Sequence, residues 1–225
     1  MQVGRRRAAA VGVMLAATAL LMSGPSPSTA PPGLVLLAAT TADSTELFSG
    51  AVCSGALTSP TTVLTVDHCV GGALPDAILG LESVCPTRGA WERVGTTSAQ
   101  PIGDGRIVKL TLTAAVQSEP FRTDTLSTGR LVAFGWGSQD SNLPPACEPK
   151  QASLDRVDVG YCEAVGQEAN QPASLCALPR RGSVNTCHGD SGGPVLQDGR
   201  LVALTLSGVG CGVGDPGLYV MLSEP

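Results

Sequence analysis

Val63-Leu64-Thr65-Val66-Asp67-His68-Cys69 is a short apolar run, rich in β-branched residues, that stops on an aspartate, a histidine and a cysteine. A run of this length bounded by polar residues reads as one strand rather than a helix. Runs of the same kind recur at Leu34–Leu37, Ile107–Leu112, Leu131–Phe134, Leu201–Leu206 and Leu218–Leu222, with Gly-, Pro- and Asp-containing turns between them. Among 225 residues there are 28 Gly and 17 Pro, only 3% are aromatic, and helical periodicity is scarce. The chain therefore reads as all-β, built from short antiparallel strands. The polar stretch Ser118–Arg130, with Pro120 and Gly129, is the expected connection between two halves.

Hydrophobic residues at 43% against 15% charged are enough to bury a core, so disorder is excluded. The net charge of −5 has the wrong sign for a protein that neutralises phosphate backbones, so no nucleic-acid partner is expected. Arg5–Arg7 followed by the apolar run Ala8–Met22 reads as a secretory signal region over residues 1–30, too short for a comfortable membrane span. Ser28-Thr29-Ala30 has small residues at a cleavage site, although Pro31 follows. The mature protein is expected to be secreted and extracellular, free of the membrane, and monomeric. Losing the leader takes Lys+Arg from 14 to 11 against 19 acids, a net charge of −8.

Eight cysteines, at 53, 69, 85, 147, 162, 176, 187 and 211, all follow the leader, which in an exported protein argues for disulfides. Their spacing does not choose among 105 pairings. No C-x-x-C pair occurs and His68 and His188 are the only histidines, so no metal is expected. Asp76–Glu82 carries too few acids for a calcium cage.

Gly189-Asp190-Ser191-Gly192-Gly193-Pro194 is the second informative stretch. Glycines on both sides of a serine let the backbone turn sharply and present a hydroxyl with a pair of N–H donors. Together with Val63–Cys69 it resembles the chymotrypsin/trypsin family of serine proteases, whose strings here are V-L-T-A-A-H-C and G-D-S-G-G-P. Cys53-Ser54-Gly55-Ala56-Leu57, Gly135-Trp136-Gly137 and Pro216-Gly217-Leu218-Tyr219 are similar to further family segments. The resemblance implies two antiparallel β-barrels with the active site in the cleft between them. Residues 31–120 would form the first barrel with His68 and Asp104, and residues 121–225 the second with Ser191 and the specificity pocket.

By that resemblance Ser191 is the nucleophile, His68 the base and then acid, and Asp104 the carboxylate that orients it; chain order His, Asp, Ser puts the acid between the other two, and the similarity of Gly103–Leu110 to the family's D-I-A-L-L-K-L stretch favours Asp104 over Asp76 and Asp124, neither of which precedes an apolar strand in the same way. The backbone N–H groups of Gly189 and Ser191 would form the oxyanion hole. Asn185 would sit at the pocket base and Gly208 and Gly217 on its walls, so cleavage after an uncharged residue of a protein or peptide substrate is expected. No cofactor is needed. Disulfides Cys53–Cys69, Cys162–Cys176 and Cys187–Cys211 are implied, leaving Cys85 and Cys147 as the remaining pair.

Departures from the family pattern are visible as well. No I-V-G-G string precedes Leu34, so Asp190, which in activatable members pairs with a new N-terminal amine, lacks an evident partner, and Arg130 is the substitute considered. Gly105 and Arg106 stand where an apolar pair is usual, Asp67 where Ala is usual, and Leu206-Ser207-Gly208 where S-W-G is usual. The sequence ends at Pro225, where relatives continue into a helix, so the second half is expected to be capped differently or to be less stable. The alternative to a serine endopeptidase is an inactive or weakly active binding module of the same fold. An α/β-hydrolase esterase is set aside because the chain lacks alternating helices.

Overall fold

The computed structural model describes residues 30–38, 53–85, 87–140, 142 and 144–222. The expected leader, apart from Ala30, the turn region Thr40–Glu46 and the last three residues lie outside them. The apolar runs and their partners become fifteen strands among the described residues: β1 (Leu34–Ala38), β2 (Cys53–Ser59), β3 (Thr62–Val66), β4 (Asp76–Leu79), the small hairpin β5 (Ser83–Val84) and β6 (Thr87–Arg88), β7 (Glu92–Val94), β8 (Thr96–Ile102), β9 (Ile107–Leu112), β10 (Leu131–Gly135), β11 (Lys150–Val157), β12 (Ser174–Pro179), β13 (Pro194–Gln197), β14 (Arg200–Gly208) and β15 (Gly217–Met221). One short helix, α1 (Val159–Ala164), is capped by Asp158, whose side chain accepts from the Gly160 amide.

The first half is a seven-stranded antiparallel sheet in the order β7-β4-β1-β2-β3-β9-β8; the second is a closed barrel, β10-β11-β12-β15-β14-β13. The two edges of the first sheet, β7 and β8, are consecutive in sequence and joined through Gly95, so the sheet curls back on itself without a closing ladder among the described residues. Each half has its own core: Val35, Leu57, Val63 and Leu110 in the first, Leu131, Leu154, Leu175 and Val202 in the second. A third cluster joins them, with Ala56, Leu64, Val66 and Ile107 facing Leu196, Leu201, Leu204 and Val220. Leu64, Val66 and Leu204 lie on strands that lead to the functional residues, so burying this seam fixes where the two halves meet.

Four disulfides are present: Cys53–Cys69, Cys85–Cys147, Cys162–Cys176 and Cys187–Cys211. Cys85–Cys147 ties the β5–β6 hairpin to the segment ahead of β11, where the Val84 amide also donates to the Cys147 carbonyl at 2.9 Å. Residues 113–130 form no named strand, but Phe121 N donates to Leu57 O and Asp124 N to Leu201 O, a contact with each half.

Candidate active site

β3 delivers His68. The strand ends at Val66, and a single 3₁₀ turn, Asp67–Val70, carries the histidine out of the sheet while Cys69 is held to β2 by its bond with Cys53. Asp67 braces this turn: its amide donates to the Arg106 carbonyl at 3.1 Å, and its carboxylate accepts from the His68 amide at 2.8 Å. The same carboxylate stands 3.7 Å from His68 Nδ1, and the histidine side chain is half exposed.

Ser191 sits in the connection between β12 and β13, in the turn just before β13. Gly192 has φ +78°, and a Cβ there would overlap Thr65 Oγ1 and the Ser54 carbonyl oxygen, which explains why a glycine is required. Ser54 pins the turn from the opposite half: its amide donates to Ser191 O at 2.8 Å and its hydroxyl to Gly189 O at 2.9 Å, while accepting from Trp136 N at 3.1 Å. The family-like segment Cys53–Leu57 contains Ser54, but its hold on this turn was not legible there, because Gly189 and Trp136 lie more than 80 positions away. Among the described residues the amides of Gly189 and Ser191 donate to no protein acceptor, whereas those of Asp190, Gly192 and Gly193 do.

His68 and Ser191, from different halves, line one cleft of about 410 Å³. Its wall includes Thr186, His188, Thr205, Ser207 and Gly208, with no Asp or Glu among the lining residues. Thr186 Oγ1 lies 3.1 Å from the hydroxyl of Tyr219, a buried phenol that burial pushes well above its ordinary pKa. Thr205 Oγ1 is buried without a hydrogen-bond partner among the described residues.

The other expected residues are arranged differently. Asn185 is buried but does not line the cleft; its amide nitrogen donates to Gly212 O at 3.0 Å and Asp215 O at 2.9 Å, and its Oδ1 accepts from Thr186 N. It staples the loop that follows β14. Gly208 lines the cleft, while Gly217 pairs with it across the β14–β15 ladder and abuts the Tyr219 ring. Asp104 occupies the tight turn between β8 and β9, where Gly103 and Gly105 both have positive φ, and its carboxylate is taken up by Arg106. That guanidinium holds the Asp104 carboxyl below the usual carboxylate range. Among the described residues no hydrogen bond joins Asp104 to the His68 ring. The competitors are engaged too, Asp76 by Arg93 and Asp124 by Arg200.

Asp190 has a partner after all, and it is not Arg130, which is exposed. Its Oδ2 lies 2.8 Å from Lys150 Nζ and accepts from Cys187 N at 2.7 Å; its Oδ1 accepts from Gly137 N at 2.7 Å. The antiparallel register of β10 with β11 sets Lys150 opposite Gly135, which the linear sequence does not reveal.

The family model described as Trypsin matches residues 37–224. The chain belongs to the trypsin family. It is a serine-type endopeptidase with protein or peptide substrates. A trypsin of Saccharopolyspora erythraea is 29% identical over 74% of this chain and 80% of its own length. A brachyurin of Leptuca pugilator is 28% identical over 76% of this chain and 83% of its own. Among solved structures, neuropsin, a serine protease of mouse brain, superposes with a TM-score of 0.71 at 22% identity, covering 87% of this chain and 91% of its own, which supports the fold.

Proposed function

We propose that this trypsin-family chain is an exported, monomeric endopeptidase that works through an acyl-enzyme on Ser191. His68 takes the proton of Ser191 Oγ as the oxygen attacks the scissile carbonyl, then returns it to the leaving amine; water releases the acyl group by the same route. The oxyanion accepts from the amides of Gly189 and Ser191, a device worth about 3–4 kcal/mol per donor. Asp104 takes the part of the orienting carboxylate, its Oδ2 engaged by the Arg106 guanidinium. Export rests on the leader-like residues 1–30 and on four disulfides. No helix among the described residues is long and apolar enough to cross a membrane.

The observation that carries this reading is one cleft lined by His68 and Ser191 beside two amides with no protein acceptor. A cleft lined by hydroxyl-bearing and apolar residues, with no Asp or Glu among them, favours cleavage after uncharged residues. The test is labelling with a fluorophosphonate, which reacts with an activated serine. One adduct on Ser191, lost in His68→Ala, with hydrolysis of peptides after uncharged residues, is the expected result. A folded protein that takes no label overturns the mechanism, and cleavage confined to Arg or Lys overturns the specificity.

A further inference from the structure

Asp190 stands between the two residues whose amides are unpaired, Gly189 and Ser191, and its side chain is 2% exposed. Both carboxylate oxygens face only donors: the amides of Gly137 and Cys187 and the ammonium of Lys150. Three donors so placed favour the charged form of the carboxylate. Burial pushes its pKa up, and Lys150 is the largest influence pulling it back down. Lys150 is itself 8% exposed. Beyond Asp190 it donates to the carbonyls of Ser138 and of Asn185, the latter at 3.1 Å. An ammonium has three protons, and each of these three acceptors comes from a different segment: the stretch after β10, the run into Cys187, and the Gly189–Gly193 turn.

We infer that Lys150 is the positioning residue of the oxyanion turn, its ammonium locking Asp190 inward so that the Gly189 and Ser191 amides face the cleft in the uncut chain. This rests on the acyl-enzyme reading above. The physical reason is that a buried charge without its counter-ion must take up a proton or turn towards water. Asp190 cannot turn outward without carrying its two neighbours, and with them the amides that would meet the oxyanion. Gly135 and Gly137 pack directly on the carboxylate, where a Cβ would collide with it, so the pocket is shaped to this one inward orientation. Both ends of the ion pair lie within the second half, so the lock draws its counter-ion from Lys150 and needs none from an N-terminal amine.

The experiment has two arms. In the first, kcat and KM are measured for Lys150→Met and Lys150→Arg on a peptide substrate, with near-ultraviolet circular dichroism and disulfide mapping to check the fold. Lys150→Met is expected to lose about 10²-fold in kcat with KM changed less than about threefold, as when an oxyanion donor is removed, and Lys150→Arg to recover part of that loss. In the second, full-length protein whose intact mass shows an uncut chain is labelled at Ser191 with a fluorophosphonate and compared with the same protein after processing. Equal labelling rates are expected. An unchanged kcat in a folded Lys150→Met, or labelling that appears only once the chain is cut, overturns the inference while leaving the peptidase reading intact. No label in any form, cut or uncut, removes that reading and the inference with it.

Discussion

Arg106 grips the Asp104 carboxylate from two residues along the chain, with Nη2 2.6 Å and Nε 2.9 Å from Oδ2 and its own amide 3.1 Å from Oδ1. The guanidinium is held in turn by the Ser174 hydroxyl and the Pro172 carbonyl of the other half. The acid assigned to orient His68 is thus bound to a cation, while Asp67 Oδ1 stands 3.7 Å from His68 Nδ1 and no hydrogen bond joins Asp104 to the ring among the described residues.

These two acids separate by mutation. Asp104→Asn is expected to lower kcat by about 10⁴-fold, the cost of an imidazole left in the wrong tautomer, and Asp67→Asn by less than about tenfold. Steady-state kinetics on one peptide substrate checks both, and the reverse order would transfer the orienting role to Asp67. If the Arg106 pair restrains Asp104, Arg106→Met should raise kcat.

The same pair sets a pH window for stability. The Asp104 pKa is lowered in the folded state, so its contribution is present above the ordinary value of 3.8 and is lost as pH falls through the lowered pKa. With a partly exposed carboxylate the effect is small, under about 1 kcal/mol. Urea unfolding of Arg106→Met should therefore show a deficit at pH 6 that narrows below pH 3.8. A deficit that stays constant across that range would assign the loss to the Ser174 and Pro172 contacts instead.

Asn185 offers a sharper test of the pocket. Replacing it by Asp would aim a buried carboxylate at the carbonyls of Gly212 and Asp215. Asn185→Asp should destabilise the protein by about 3 kcal/mol and confer no preference for basic residues. A stable variant that cleaves after Arg would show that the side chain reaches the cleft.

Thr205 predicts the opposite sign. Its buried hydroxyl has no partner, so Thr205→Val should stabilise the fold by about 1 kcal/mol in thermal unfolding and make the cleft wall more apolar. A loss of stability would mean that the hydroxyl is satisfied in solution.

Gly192→Ala should cost about 3 kcal/mol or more and abolish Ser191 labelling, since the added Cβ meets Thr65 and Ser54 at φ +78°. An active, stable variant would mean that the turn has room to shift.

The local pattern was enough for the all-β architecture and for the two strings that hold His68 and Ser191. Alternation and β-branching fix where strands such as β9 begin and end, and glycines beside a serine can serve only a tight turn. What surrounds those strings was decided by tertiary structure. Ser54 reaches Gly189, Lys150 reaches Asp190, and Asn185 turns from the cleft to the loop after β14, all through strand register and sheet packing over tens of residues. Asp104 shows the limit from the other side: its position matches a family motif, but the direction of its carboxylate depends on Arg106 and on two glycines that reshape the turn. A residue's type and local neighbours are written in the chain, whereas the charge or donor it meets across a barrel exists only once the barrel has closed.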